Sequence, residues 1–270
     1  MNHAILLSGG TGTRINSDRP KQYIRAAEKI SDSTGDDSNS SGSAGHMMIT
    51  YAIASLMRSE YIDSIYIVCD EMWRDEISED IGIADKLSGF AAPGENRQLS
   101  ILNGMETILA GMGENGRTLI RSGIQAVAGN TGASQPINDD TVLIHDAARP
   151  FLTEEMLARI YEALPGHDGV MPVLPMKDTI YYSRSGKRVD ELLDRGTLYA
   201  GQAPELFYLK SYYEATRALL PDRILNINGS TEPAVMAGLD VAMIPGDESN
   251  FKVTTDADLE RFIEMIKENT

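Results

Sequence analysis

The run Ser8-Gly9-Gly10-Thr11-Gly12-Thr13-Arg14, followed by Pro20-Lys21-Gln22, holds the residues best suited to chemistry in this sequence. Three glycines let the backbone turn tightly, so that its N–H groups can approach phosphate oxygens. Arg14 and Lys21 add two cations near the same place. Phosphoryl and nucleotidyl transfer need this combination, because negative charge gathers on the attacked phosphate and on the departing pyrophosphate. Two other phosphate loops fit less well. A Walker A loop ends in Gly-Lys-Ser/Thr, which is absent, and a dinucleotide fingerprint needs a third glycine where Ile15 stands. A plain strand-to-helix turn explains the glycines but not the spaced Arg14 and Pro20-Lys21-Gln22.

The elements that must position this loop follow from hydrophobic pattern. Ala4–Leu7 is a short apolar run stopped by Ser8-Gly9-Gly10 and reads as a buried strand. Similar runs recur at 64–69, 141–145, 169–174 and 241–244. Helical patterns lie between them, at 48–58, 97–110, 154–164, 209–219 and 256–267. Thr153 and Thr255 look like helix starts, with acids in the first turn. This alternation predicts an α/β fold with a mostly parallel sheet covered on both faces. Two polar stretches interrupt it: 31–45, rich in Ser, Gly and Asp, which reads as a flexible insertion, and the milder 122–140. The stretch 178–198 has β character at Thr179–Ser183 and a turn signal at Ser185-Gly186-Lys187. It reads as a hairpin, either protruding toward a partner subunit or packed on its own domain.

With 270 residues, the chain fits one α/β domain with an appended arm. A formal net charge of -16 argues against nonspecific binding to nucleic acid or to an anionic membrane. It does not exclude an anionic small molecule met by a few local cations. Cys69 is the one cysteine, which excludes an intrachain disulfide and a cysteine-based metal site, and its apolar run reads as buried. The N-terminal apolar stretch is too short for a signal peptide, so a cytoplasmic location is expected.

The run GGTGTR…PKQY resembles the signature of the cytidylyltransferases that act on methylerythritol phosphate and ribitol phosphate. Further matches follow in the family's order: Gly94-Glu95-Asn96-Arg97 with Ser100, Ile144–Pro150 (IHDAARP), Asp178-Thr179, Asp194-Arg195, Gly201-Gln202-Ala203-Pro204, and Asn250–Thr254. The resemblance covers nearly the whole chain apart from the two polar insertions. It implies a Rossmann-like nucleotidyltransferase fold, with CTP and an alditol phosphate as substrates and Mg²⁺ as cofactor. It further implies that Arg14 and Lys21 stabilise the pentavalent α-phosphate, and that Ser8, Gly9, Gly10 and Thr11 cradle the triphosphate. Gly94 and Glu95 would lie at the cytosine edge, with Arg97, Ser100 and Ala147 also beside the nucleotide. Asp146, Arg149 and Thr179 would face the acceptor. Lys252 and Arg195 would hold its phosphate for in-line attack, Arg195 reaching across from the arm of a dimer partner. Asp146 is the candidate neighbour of Mg²⁺, although phosphates could hold most of the ion. As alternatives, Asp146 caps its loop or pairs with Arg149, Lys252 is an ordinary surface lysine, and Arg195 is a solvated arm charge. His145 reads as structural.

Two places depart from the family pattern. Ala203-Pro204-Glu205 stands where Thr-Pro-Gln is common, and Thr231-Glu232-Pro233 stands for a Thr-Asp with longer spacing to Gly238. Both lie near the acceptor in the family. The first loop, Arg97-x-x-Ser100-Ile101 and Gly201-Gln202 lean toward the ribitol branch and surface-polymer synthesis. His145–Pro150 leans toward the methylerythritol branch and isoprenoid synthesis. A sugar-1-phosphate nucleotidyltransferase using another nucleotide, and an idle CTP-binding relative, are the rival readings.

Overall fold

The structure, a computed structural model, describes residues 1–10, 15, 17–26, 45–113, 116–121 and 139–268. Thr11, Gly12, Thr13, Arg14 and nearly all of the two polar stretches lie outside the described residues.

Four parallel strands lead to the start of the glycine-rich stretch and to its neighbours. They are β1 (Asn2–Leu7), β2 (Ser64–Val68), β3 (Leu87–Ala91) and β4 (Thr141–Asp146). β1 lies between β4 and β2, in register from Asn2↔Thr141 to Leu7↔Asp146 and from His3↔Ser64 to Leu7↔Val68. The sheet continues through β9 (Glu205–Tyr208), β5 (Gly169–Pro175) and β10 (Val241–Pro245) in the order β10-β5-β9-β4-β1-β2-β3. β9 runs antiparallel to both β4 and β5, and β8 (Tyr199–Gly201) pairs antiparallel with the far end of β5. The sheet is therefore mostly parallel, with an antiparallel return in the middle.

Period-two alternation sorts β1 between two apolar layers. Ala4 and Leu6 pack into one, with the helices α1 (Met48–Arg58) and α4 (Glu154–Ala163). Ile5 packs into the other, with α3 (Arg97–Gly111) and α5 (Leu209–Arg217). Burial on both faces explains why these strands read as unbroken apolar runs. A third, smaller layer joins Ile15, Ile24, Met48 and Val253 to the C-terminal helix α7 (Asp256–Glu268). Thr153 caps α4 by accepting from Met156 N at 3.2 Å, and Thr255 and Asp258 bond reciprocally at the start of α7. The short helices α2 (Arg74–Ile81) and α6 (Glu232–Met236) fill connections that showed no strong apolar period.

The hairpin is present. β6 (Ile180–Tyr182) pairs antiparallel with β7 (Glu191–Leu193) as a two-stranded sheet separate from the main one. Tyr181, Tyr182, Val189 and Leu192 on it, and Tyr199 just after it, are exposed. Cys69 is fully buried, and burial pushes its thiol up to about 11, so it is inert core. Among the described residues no helix is long and apolar enough to cross a membrane.

Candidate active site

The carboxyl ends of β1, β3 and β4 bring the predicted loops together, as open α/β sheets do for their ligands. Ser8 follows β1 directly. Its N–H and its hydroxyl both donate to Val68 O at 2.9 Å, which ties the loop to the end of β2. Gln22 ties Ser8 to Gly10, donating from Nε2 to Ser8 O at 2.6 Å and to Gly10 O at 2.7 Å. The Tyr23 hydroxyl donates to Ser8 O at 3.0 Å, and its ring stacks on Trp73 at 4.2 Å. So the Pro-Lys-Gln-Tyr segment anchors the start of the glycine-rich stretch, at Ser8 and Gly10. Sequence reasoning had given Gln22 and Tyr23 no role.

Glycine is required where two backbones approach. A Cβ on Gly9 would sit 2.5 Å from Pro93 Cβ, so the chain at Gly9 abuts the turn after β3. A Cβ on Gly94 would sit 2.4 Å from Leu99 Cβ and 2.7 Å from Leu99 C, against the first turn of α3. Asn96 caps that helix by accepting from Leu99 N at 2.8 Å. The Ser100 hydroxyl accepts from Gly94 N at 3.0 Å and donates to Asn96 O at 2.9 Å. Within the chain Ser100 thus shapes the turn around Gly94, while Glu95 is exposed at its tip.

A cluster of charged side chains lies at the end of β4. Buried Asp146 accepts from Arg97 Nη1, takes Lys252 Nζ at 2.9 Å, and has Arg149 Nε at 3.8 Å. Burial alone would raise its pKa. The fields of Arg97 and Lys252, with their hydrogen bonds, prevail and hold the carboxyl far below the usual carboxylate range. Arg97 also donates from Nε to Ser230 Oγ at 3.0 Å, and its Nη2 lies 4.0 Å from Glu205 Oε2. Glu205 is buried. Burial first, and the Asp146 charge with it, push its carboxyl up to about 7 against the pull of Arg97 and Arg149.

Lys252 reaches Asp146 because its segment is pinned at several points. Val253 N donates to Ala148 O at 2.8 Å, and Arg149 Nη1 donates to Asn250 O at 2.7 Å. Asn250 Nδ2 donates to Ala203 O at 2.8 Å, and the Gln202 amide bonds both N and O of Asp247 at 2.9 Å. Lys21 Nζ donates to Val253 O at 2.5 Å. Lys21 and Lys252 therefore converge on one segment although 231 positions separate them in sequence. His145 is fully buried, with Nε2 at 3.0 Å from Arg149 O, and burial lowers it to about 4. It is a neutral structural group.

Other expected site residues stand apart from this cluster. Ala147 is 1 % exposed and belongs to the core, its N–H bonded to Leu7 O at 3.0 Å. Thr179 and Arg195 are exposed on the arm, and Arg195 Nη1 donates to Lys177 O at 2.8 Å. As a ligand for Mg²⁺, Asp146 does not fit as it stands. Arg97 and Lys252 already occupy its oxygens, and the described residues form no group of three acids or histidines suited to a metal. Glu205, Asn250 and Ser230 join the cluster without having been singled out as site residues. The one signal for Glu205 was its place in the departure at Ala203-Pro204-Glu205.

Among solved structures, the chain is similar to the 4-diphosphocytidyl-2C-methyl-D-erythritol synthase of Anaerococcus prevotii, with a TM-score of 0.69 over 98% of both chains at 19% identity. That likeness establishes the fold. The profile of the 2-C-methyl-D-erythritol 4-phosphate cytidylyltransferase (IspD) family matches residues 2–267, and the chain belongs to that family. It is 30% identical to the 2-C-methyl-D-erythritol 4-phosphate cytidylyltransferase of Rubrobacter xylanophilus over 95% of this chain and 90% of that one. It is 27% identical to the ribitol-5-phosphate cytidylyltransferase of Lactiplantibacillus plantarum over 96% and 95%. It also spans 57% of the length of a bifunctional IspD/IspF enzyme of Maricaulis maris, at 29% identity over 99% of this chain.

Proposed function

We propose that the chain joins CTP to an alditol phosphate, releasing pyrophosphate and forming a CDP-alditol, with ribitol 5-phosphate the first acceptor to test. The observation that carries the reading is the cation cluster around Asp146, gathered at the strand ends that also present the glycine-rich loop. An oxygen of the acceptor's phosphate attacks the α-phosphorus of CTP, and the bond to the β-phosphate oxygen breaks. The nucleophile is already an anion, so no strong base is needed. The difficulty is bringing two anions together, which cations and orientation supply.

In this reading the backbone of Ser8, Gly9 and Gly10 receives the triphosphate, and the turn at Gly94 and Glu95 receives the cytosine. Lys21 and Arg14 stabilise charge at the α-phosphate. Lys252, held on Asp146, meets the acceptor phosphate, and Arg149 borders the same space. Mg²⁺, expected to accompany the triphosphate, would be held by phosphate oxygens more than by this chain. The exposed apolar side chains of the arm support a homodimer in which Arg195 and Thr179 complete the partner's site. The departures at Ala203-Pro204-Glu205 and Thr231-Glu232 favour an acceptor other than methylerythritol phosphate.

The test is pyrophosphate release from CTP with ribitol 5-phosphate and with 2-C-methyl-D-erythritol 4-phosphate, the product identified by mass. Turnover of either supports the cytidylyl transfer, and their ratio decides the acceptor. Preference for UTP, or no release with any alditol phosphate, overturns it.

A further inference from the structure

Among the buried polar atoms without a hydrogen-bond partner, Glu205 Oε2, Arg149 Nε and Asn250 Oδ1 lie around the Asp146 cluster, as does Nδ1 of His145 beside it. Glu205 is 8 % exposed and Asn250 1 %. They belong to one locality. Glu205 stands opposite Ile144 in the β4–β9 ladder, two residues before Asp146, so both carboxyls emerge on the same face of the sheet. Arg149 bonds Asn250, and Asn250 bonds Ala203, two residues before Glu205. A buried polar atom without a partner costs stability, so each one calls for an explanation, and a polar ligand is one.

The atoms on Glu205, Arg149 and Asn250 also have a defined chemistry. Glu205 Oε2 and Asn250 Oδ1 accept, and Arg149 Nε donates. A chain of alcohol groups, each donor and acceptor at once, matches this set, whereas a second phosphate would meet two acceptors. The locality therefore suits hydroxyls beside the phosphate that Lys252 faces.

Resting on the cytidylyltransferase reading, we propose that Glu205 is a specificity-determining residue whose Oε2 accepts a hydrogen bond from a hydroxyl of the alditol acceptor. With Arg149 and Asn250 it forms a polyol subsite beside Lys252. The subsite favours an acceptor with a hydroxyl at that carbon over one with hydrogen or methyl there.

The experiment compares wild type, E205Q and E205A in steady-state kinetics with CTP and a panel of alditol phosphates, including monodeoxy analogues of the preferred one. Glu205→Ala should raise the acceptor KM about tenfold, leaving the KM for CTP within about twofold. One deoxy analogue should be turned over equally by wild type and E205A, which identifies the hydroxyl. E205Q keeps shape and an acceptor oxygen, and it should fall between the two while remaining folded. An unchanged acceptor KM in E205Q and E205A, with wild type active, overturns this inference alone. So does a loss that is equal for every analogue or that falls on CTP, since Glu205 would then only support Arg97. A wild-type chain that turns over no alditol phosphate overturns the underlying reading and this one with it.

Discussion

Replacing Glu205 with glutamine should change how stability depends on pH. The glutamate's carboxyl is pushed up to about 7 from an ordinary 4.5, chiefly by burial. In the unfolded chain it releases its proton near 4.5. Between these values the folded state binds more protons than the unfolded state, so Glu205 makes stability fall as pH rises through that window. At about 1.4 kcal/mol per pH unit the loss by neutral pH comes to about 3 kcal/mol. Glutamine cannot ionise and escapes it. His145, lowered to about 4, works in the opposite sense and makes stability rise with pH up to about 6.5. It is present in both proteins and drops out of their difference. The melting temperature of E205Q minus that of wild type should therefore grow from pH 5 to pH 8 by about 6 °C for a chain of this size. The assay is thermal or urea unfolding at four pH values and constant ionic strength. Any fixed offset from the new amide beside Arg97 is ignored, because only the slope counts. A flat difference would refute the reasoning: Glu205 would then be ionised throughout, with Arg97 and Arg149 outweighing burial.

Lys21→Ala should lower kcat by about a hundredfold or more with CTP still bound, as loss of one preorganised electrostatic donor does; near-normal turnover in a folded variant contradicts its role. Gly94→Ala places a methyl 2.4 Å from Leu99 Cβ and 2.7 Å from Leu99 C, so it should cost about 1–3 kcal/mol and raise the KM for CTP. Unchanged melting and KM would mean that the turn is free to move. Arg195→Ala and Lys21→Ala chains, each nearly inactive alone, should recover roughly a quarter of wild-type activity when mixed and exchanged, because half the dimers then hold one intact site. No recovery in heterodimers confirmed by native mass spectrometry would place the action of Arg195 within its own chain or away from the site.

Local sequence pattern determined most of the scaffold. The apolar runs ending at Leu7, Val68 and Asp146 are strands because both faces are covered, and the 48–58 pattern forms α1 with those bounds. The hairpin at 178–198 was legible because β-forming residues flank a turn signal, and the glycine-rich loop because phosphate binding demands glycine and cations close together in sequence. Leu87–Ala91 and Arg74–Ile81 were not legible: the first is only partly buried, and the second has one buried residue, so neither shows a clear period. Glu205–Tyr208 drew no strand expectation from its sequence, and it forms a strand where β4 and β5 supply partners on both sides. The charge cluster is likewise a tertiary product. Arg97, Asp146, Glu205, Ser230 and Lys252 come from five separate segments, and no spacing in the chain records that sheet order sets them together. Nor does sequence tell which of Asp146 and Glu205 keeps its charge. Proximity to Arg97 and Lys252 decides for Asp146, and burial with a more distant arginine decides against Glu205.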